Sequence, residues 1–142
     1  MQDYFIDTNI FIRSLVKDEK EMSYVCAHFL KDLDHRRSNF FTSSFVIMEV
    51  NFVLTSIYEF SKIEIIPIIK SIVSTQTISI IDRVDLKLAV KLYQTHSAKL
   101  TDCLIASIKP IYDKKMAVVS YDKDFDKIGV IRKIPDQIIK IK

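Results

Sequence analysis

The stretch Tyr4-Phe5-Ile6-Asp7-Thr8-Asn9 constrains this chain more than any other. A run suited to a buried strand ends in a carboxylate, and an amphipathic helical pattern starts at once in Ile10-Phe11-Ile12-Arg13-Ser14-Leu15-Val16. Asp7 is therefore expected at a strand's carboxyl end, facing a helix whose cap is Thr8 or Asn9. A second run, Met116-Ala117-Val118-Val119-Ser120, reads as a buried parallel strand and leads into Tyr121-Asp122-Lys123-Asp124-Phe125-Asp126. Strands that end at acids point to an open α/β sheet, because its carboxyl edge is where loops carry chemistry on a fixed scaffold. Taken alone, Asp7 is equally well explained as a helix cap.

Between these strands the pattern alternates. Residues 19–37 place Met22, Val25, Cys26, Phe29, Leu30 and Leu33 on one helical face, with His28, His35, Arg36 and Arg37 off it as a solvated end. A short strand is expected at 39–43, with Ser43 or Ser44 capping a helix over 45–60 so apolar that it should be largely buried. Residues 61–74 form another helix whose register Pro67 leaves open, with packing or dimer contact as its role. A strand at 77–81 precedes a helix over 82–99 with Leu86, Ala89, Val90 and Tyr93 on its packed face, and His96 set against its last carbonyls. Thr101 is the expected cap of the next helix, which Pro110 should kink or divide, and residues 130–133 suit an edge strand.

Two further acids belong to this frame. Glu49 lies one turn into the apolar helix, where a carboxylate is costly unless a cation, a hydrogen-bond network or water receives it; an exposed stripe is the plainer alternative. Asp102 falls in a first helical turn, a position that also stabilises many helices without further purpose. Asp124 and Asp126 suit a charge cluster solvated with Lys123 and Lys127, on a turn that Phe125 anchors, with Asp124 also a candidate support for the acids. If the strands are parallel, Asp7, Glu49, Asp102 and Asp122 converge at one edge. Carboxylates so placed repel unless a divalent cation neutralises them, and oxygen ligands without His or Cys favour Mg²⁺ or Mn²⁺.

Composition narrows the chemistry. With 142 residues the expectation is a single domain over 1–142, and one glycine, Gly129, removes the glycine-rich phosphate loops from consideration. Cys26 and Cys103 lack metal-ligand spacing and read as small buried hydrophobes in a reducing cytoplasm. No cationic leader or uncharged membrane-length run is evident, so a cytoplasmic protein without membrane association is expected. The net charge of +3 is compatible with a nucleic-acid partner and proves none.

Phe5-Ile6-Asp7-Thr8-Asn9, Glu49 in its helix, Leu100-Thr101-Asp102-Cys103-Leu104-Ile105-Ala106 and Val118-Val119-Ser120-Tyr121-Asp122-Lys123-Asp124-Phe125 together resemble the successive motifs of PIN-domain ribonucleases, and in a compact chain the toxin half of VapBC toxin/antitoxin pairs. The resemblance implies a three-layer α/β/α sandwich with a central, mainly parallel sheet, Mg²⁺- or Mn²⁺-dependent endoribonuclease activity, a cognate antitoxin and a homodimer. It implies Asp7, Glu49 and Asp102 as core metal ligands, Asp122 as a fourth acid, and Thr8, Asn9 and Ser120 as groups that orient carboxylates or water. The expected reaction is in-line attack of a metal-activated water on RNA, leaving a 5′-phosphate and a 3′-hydroxyl, with Arg13, Arg36, Arg37 and Lys99 as candidates to hold the backbone. Cys103 stands where a small Ala is common in the family, and glycine is scarcer than usual. Alternatives are a PIN-fold RNA-processing or RNA-binding protein without a toxin role, and an Asp-nucleophile phosphatase on Asp7; the latter is disfavoured because Asn9 stands where a second Asp is needed.

Overall fold

The computed structural model describes residues 2–139, so the end of the Ile/Lys-rich tail lies outside the described residues. Five parallel strands, β1 (Asp3–Ile6), β2 (Asn39–Thr42), β3 (Ile78–Ile80), β4 (Met116–Val119) and β5 (Arg132–Lys133), form one sheet in the order β3-β2-β1-β4-β5. Phe5 pairs with Phe41 on one side and Val118 on the other, and the Asp7 N–H donates to the Val119 carbonyl at 3.1 Å. The chain builds outward from β1 through β2 to β3, then crosses back to β4 on the opposite flank of β1. Right-handed crossovers running in two directions place helices on both faces. The order reverses between β1 and β4, so the crevice of the sheet opens at their carboxyl ends, where Asp7 and Ser120 stand.

The helices are α1 (Thr8–Leu15), α2 (Lys20–Lys31), α3 (Ser44–Ser56), α4 (Lys62–Ser74), α5 (Leu86–Thr95), α6 (Leu100–Ala106), α7 (Lys109–Tyr112) and α8 (Asp124–Ile128). Phe5, Phe29, Phe40 and Phe125 are fully buried, each contributing roughly 2–3 kcal/mol from removal of apolar surface from water. All four residues of β4 are buried, as expected of a strand covered on both faces. Ser43 caps α3 by accepting from the Val46 N–H, and Pro110 divides the helical run by opening α7. Both cysteines are buried and free, and His96 Nδ1 lies 3.1 Å from the Leu92 carbonyl at the end of α5. Among the described residues no helix is long and apolar enough to cross a membrane.

Several local expectations give way to tertiary demands. Thr8 and Asn9 do not cap α1. Asp7 occupies the cap position, and the two side chains turn toward Glu49 and Ser120 instead. Lys99, not Thr101, precedes α6, and α2 ends at Lys31 before a 3₁₀ turn at Leu33–His35. The helix over 62–74 runs through Pro67 unbroken, started by a reciprocal Ser61–Glu64 capping box. Helix α3 is not largely buried: Val46, Val50 and Leu54 face the core, while Met48 and Phe52 are exposed. In α5 the packed residues are Ala89 and Leu92, and Leu86, Val90 and Tyr93 form an exposed stripe. Asp82 stays outside α5 and binds the Ser44 N–H at 2.6 Å, bracing the start of α3.

Candidate metal centre

Four elements bring acids to the crevice. Asp7 arrives from the end of β1 and Asp122 from the loop after β4, while Glu49 comes from the second turn of α3 and Asp102 from the first turn of α6. Asp124 opens α8 beside Asp122, whose Oδ1 accepts the Asp124 N–H at 2.9 Å. Asp102, Asp122 and Asp124 each offer a carboxylate oxygen within 4.8 Å of the other two. Asp7 and Glu49 line an adjoining cavity of about 210 Å³, together with Thr8, Asn9, Arg13 and Lys99.

The four acids of the sequence reading therefore gather at one edge, but the tightest trio includes Asp124 and leaves Asp7 and Glu49 in the adjoining cavity. Asp124 pairs with Lys127 at 3.1 Å as the charge-cluster expectation has it, but it is half-buried and also stands beside Asp102 and Asp122. Asp126 turns away to Arg132. Arg36 and Arg37 precede β2 at the amino edge of the sheet, opposite the acids, and Arg36 is held by Asp32. Of the four basic residues proposed to meet substrate, Arg13 and Lys99 line the cavity.

Ser120 is the hub of the polar support. Its buried hydroxyl donates to Asp7 Oδ2 at 2.7 Å and accepts from Asn9 Nδ2 at 2.9 Å and from the Asp122 N–H at 3.0 Å. Asn9 Nδ2 also reaches Asp7 Oδ2 at 3.3 Å, and Asn9 Oδ1 accepts the Tyr121 N–H. Thr8 donates to Glu49 Oε2 at 3.1 Å. Side chains so held lose little freedom when they take up a ligand. Sequence reasoning missed two contributors. Tyr58 lines the cavity and donates to Asp18, which also holds Arg13; Arg132 clasps Asp126 and the Ser120 carbonyl, fixing the loop that carries Asp122. Neither carries a sequence signal, since their partners are brought together only by folding.

The electrostatics are those of an acid site short of positive charge. Burial pushes the Asp7 carboxyl up to about 6, against the Ser120 hydroxyl and the Thr8 N–H. Burial, together with the neighbouring acids and against Lys99, pushes Asp102 up to about 8. Asp122 moves the other way: burial raises it, but the Asp124 N–H and the Lys99 ammonium outweigh that and hold it below the usual carboxylate range. Asp102 Oδ2 is buried with no hydrogen-bond partner among the described residues. An orphaned carboxylate oxygen costs free energy, and a hard divalent cation satisfies it and neutralises its neighbours. The donor set, all oxygen with no His or Cys, fits Mg²⁺ or Mn²⁺.

Comparison with known proteins bears on this arrangement. The chain is 24% identical over 127 residues to the VapC ribonuclease of Aquifex aeolicus (strain VF5), covering 87% of this chain and 90% of the relative. Among solved structures it resembles PAE2754 from Pyrobaculum aerophilum, with a TM-score of 0.69, 12% identity and coverage of 96% and 92%. It also resembles VapBC2 from Rickettsia felis bound to a promoter DNA fragment, with a TM-score of 0.63, 20% identity and coverage of 94% and 98%. The PIN domain family profile matches residues 4–131, which runs from the second residue of β1 past β4 and takes in all the acids just described, and the chain belongs to the PIN-domain family.

Proposed function

We propose that this protein is a metal-dependent endoribonuclease acting as the toxin of a type II toxin/antitoxin pair, with the whole chain working as one PIN domain. The observation that carries the reading is the buried, unpartnered Asp102 oxygen within an acid cluster at the switch point of a PIN fold. Asp7, Glu49, Asp102 and Asp122 hold the cation, with Asp124 close enough to join them; Mg²⁺ or Mn²⁺ is the expected ion. When bound, such an ion acidifies a water and offsets charge developing on phosphorus. The protein's own part is positional. Ser120 and Asn9 fix the Asp7 carboxylate, Thr8 fixes Glu49, and Arg13 and Lys99 present positive charge where an RNA backbone would cross.

The partner proposals rest on similarity to a VapC ribonuclease and to a VapBC2 complex, together with apolar surface. A groove of about 380 Å³ between α1, α2 and α4, lined by Phe11, Leu15, Leu30, Pro67 and Ile72, suits an apolar segment of an antitoxin. Exposed Met48 and Phe52 on α3, with the Leu86, Val90 and Tyr93 stripe on α5, suit a homodimer. The setting proposed is the cytoplasm, where RNA and antitoxin are both present. The phosphatase alternative is weakened by the PIN-family match and by Asn9, an amide where such enzymes need a second Asp. The test is cleavage of a mixed set of labelled RNAs by purified protein in Mg²⁺, Mn²⁺ or EDTA, beside Asp7→Asn prepared identically. Metal-dependent cutting lost in the variant supports the reading. Equal cutting by both proteins refutes it, and RNA binding without cutting by either favours the binding-module alternative.

A further inference from the structure

Lys99 lines two hollows at once: the acid cavity with Asp7 and Glu49, and a shallower one with Tyr93, His96 and Asp124. Its ammonium lies 3.3 Å from Asp122 Oδ2, and the charges of Asp102 and Glu49 also act on it. Arg13 lines the acid cavity but pairs with Asp18, whose second oxygen accepts from Tyr58, and Lys127 pairs with Asp124 but lines neither hollow. Lys99 reaches both hollows, with 62% of its side chain exposed and a flexible four-carbon stem. A pair so exposed is weak, so the ammonium is free to leave when a stronger cation arrives.

One ammonium cannot offset Asp7, Glu49 and Asp122 together, and a divalent ion among the acids repels it. The same stem can then carry it outward to the second hollow without leaving the site. Resting on the metal-dependent nuclease reading, we infer that Lys99 is an exchangeable counter-ion. Its ammonium sits among the carboxylates while no divalent cation is bound, and turns to a phosphate of the RNA strand once a cation takes them. Lys99 thereby competes with the metal and binds the substrate, two effects of opposite sign from one side chain.

The test compares wild type, Lys99→Met and Lys99→Arg. Mn²⁺ binding is measured by calorimetry. Binding of a labelled phosphorothioate oligouridine, charged yet resistant to hydrolysis, is measured in saturating Mn²⁺ across a salt series. Lys99→Met is expected to bind Mn²⁺ roughly three- to fivefold more tightly than wild type, an advantage that shrinks as salt screens the site. Its RNA affinity should depend less steeply on salt, the logarithmic slope falling by about 0.7 for one lost phosphate contact. Lys99→Arg, which keeps the charge, should stay within about twofold of wild type in Mn²⁺ affinity. Unchanged or weaker Mn²⁺ binding by Lys99→Met, or an unchanged salt slope, overturns the exchange. Equal Mn²⁺ binding by wild type and Asp102→Asn overturns instead the metal-centre reading on which the exchange rests.

Discussion

Asp102→Asn should make the metal-free protein more stable while destroying the site. Burial raises the Asp102 carboxyl from an ordinary 3.8 to about 8, so the folded protein holds this proton far more tightly than the unfolded chain does. A group whose folded value is raised contributes stability that is fully present below the unfolded value and is lost as pH rises through the folded one. For Asp102 that window runs from about pH 4 to pH 8, and the loss across it is about 5 kcal/mol at 1.36 kcal/mol per unit. The asparagine cannot ionise, and its Nδ2 is a donor beside the Asp122 carboxylate, an oxygen of which lies within 4.8 Å of the Asp102 carboxyl. The variant's advantage should therefore widen by about 3–4 kcal/mol between pH 5 and pH 8, or about 10 °C in midpoint for a chain of this size. Thermal denaturation of both proteins in EDTA at the two pH values measures it. Mn²⁺ should then stabilise the wild type and leave the variant nearly unmoved. A gap between the proteins that does not change with pH would refute the reasoning.

Other perturbations address the supports. Ser120→Ala strips Asn9 Nδ2 and the Asp122 N–H of their shared acceptor, and should lower metal affinity about 10- to 100-fold by calorimetry, with a stability loss of about 1–3 kcal/mol by urea denaturation. Arg132→Lys keeps the charge but loses the fork that grips Asp126 and the Ser120 carbonyl; a loss of about 1–2 kcal/mol is expected, and wild-type stability would remove Arg132 from the account. Phe52→Ser should leave the folding of one copy within about 0.5 kcal/mol, because the ring is exposed, and on the homodimer proposed above sedimentation should find dimer giving way to monomer. A dimer that persists would move the interface off α3.

The fold was legible where local pattern and tertiary position agree. Tyr4–Ile6 and Met116–Val119 are apolar throughout because parallel strands are covered on both faces, and that run-plus-acid signature carries directly to the switch point. Ser43 and Pro110 act through their own backbone neighbours and could be read in place. Failures came where a side chain serves a distant partner. Thr8 and Asn9 look like caps, yet they are drawn to Glu49 and to Ser120, residues 41 and 111 positions away. The apolar faces of α3 and α5 misled because periodicity cannot distinguish a stripe that meets the core from one left for another surface; Leu86, Val90 and Tyr93 are in step and exposed. Asp124 reads two ways in sequence, as a solvated charge flanked by Lys123 and Lys127 or as a support for the acids; it pairs with Lys127, while the turn begun by Asp122 folds it back toward Asp102.

The most direct measurement is a crystal structure of the protein soaked in Mn²⁺, with anomalous scattering used to locate the ion. The account predicts a peak held among Asp7, Glu49, Asp102 and Asp122, with Asp124 beside it, within bonding distance of the now unpartnered Asp102 oxygen, and no such peak in Asp102→Asn. A wild-type crystal that binds Mn²⁺ elsewhere, or leaves this acid pocket without a peak under saturating ion, would contradict it.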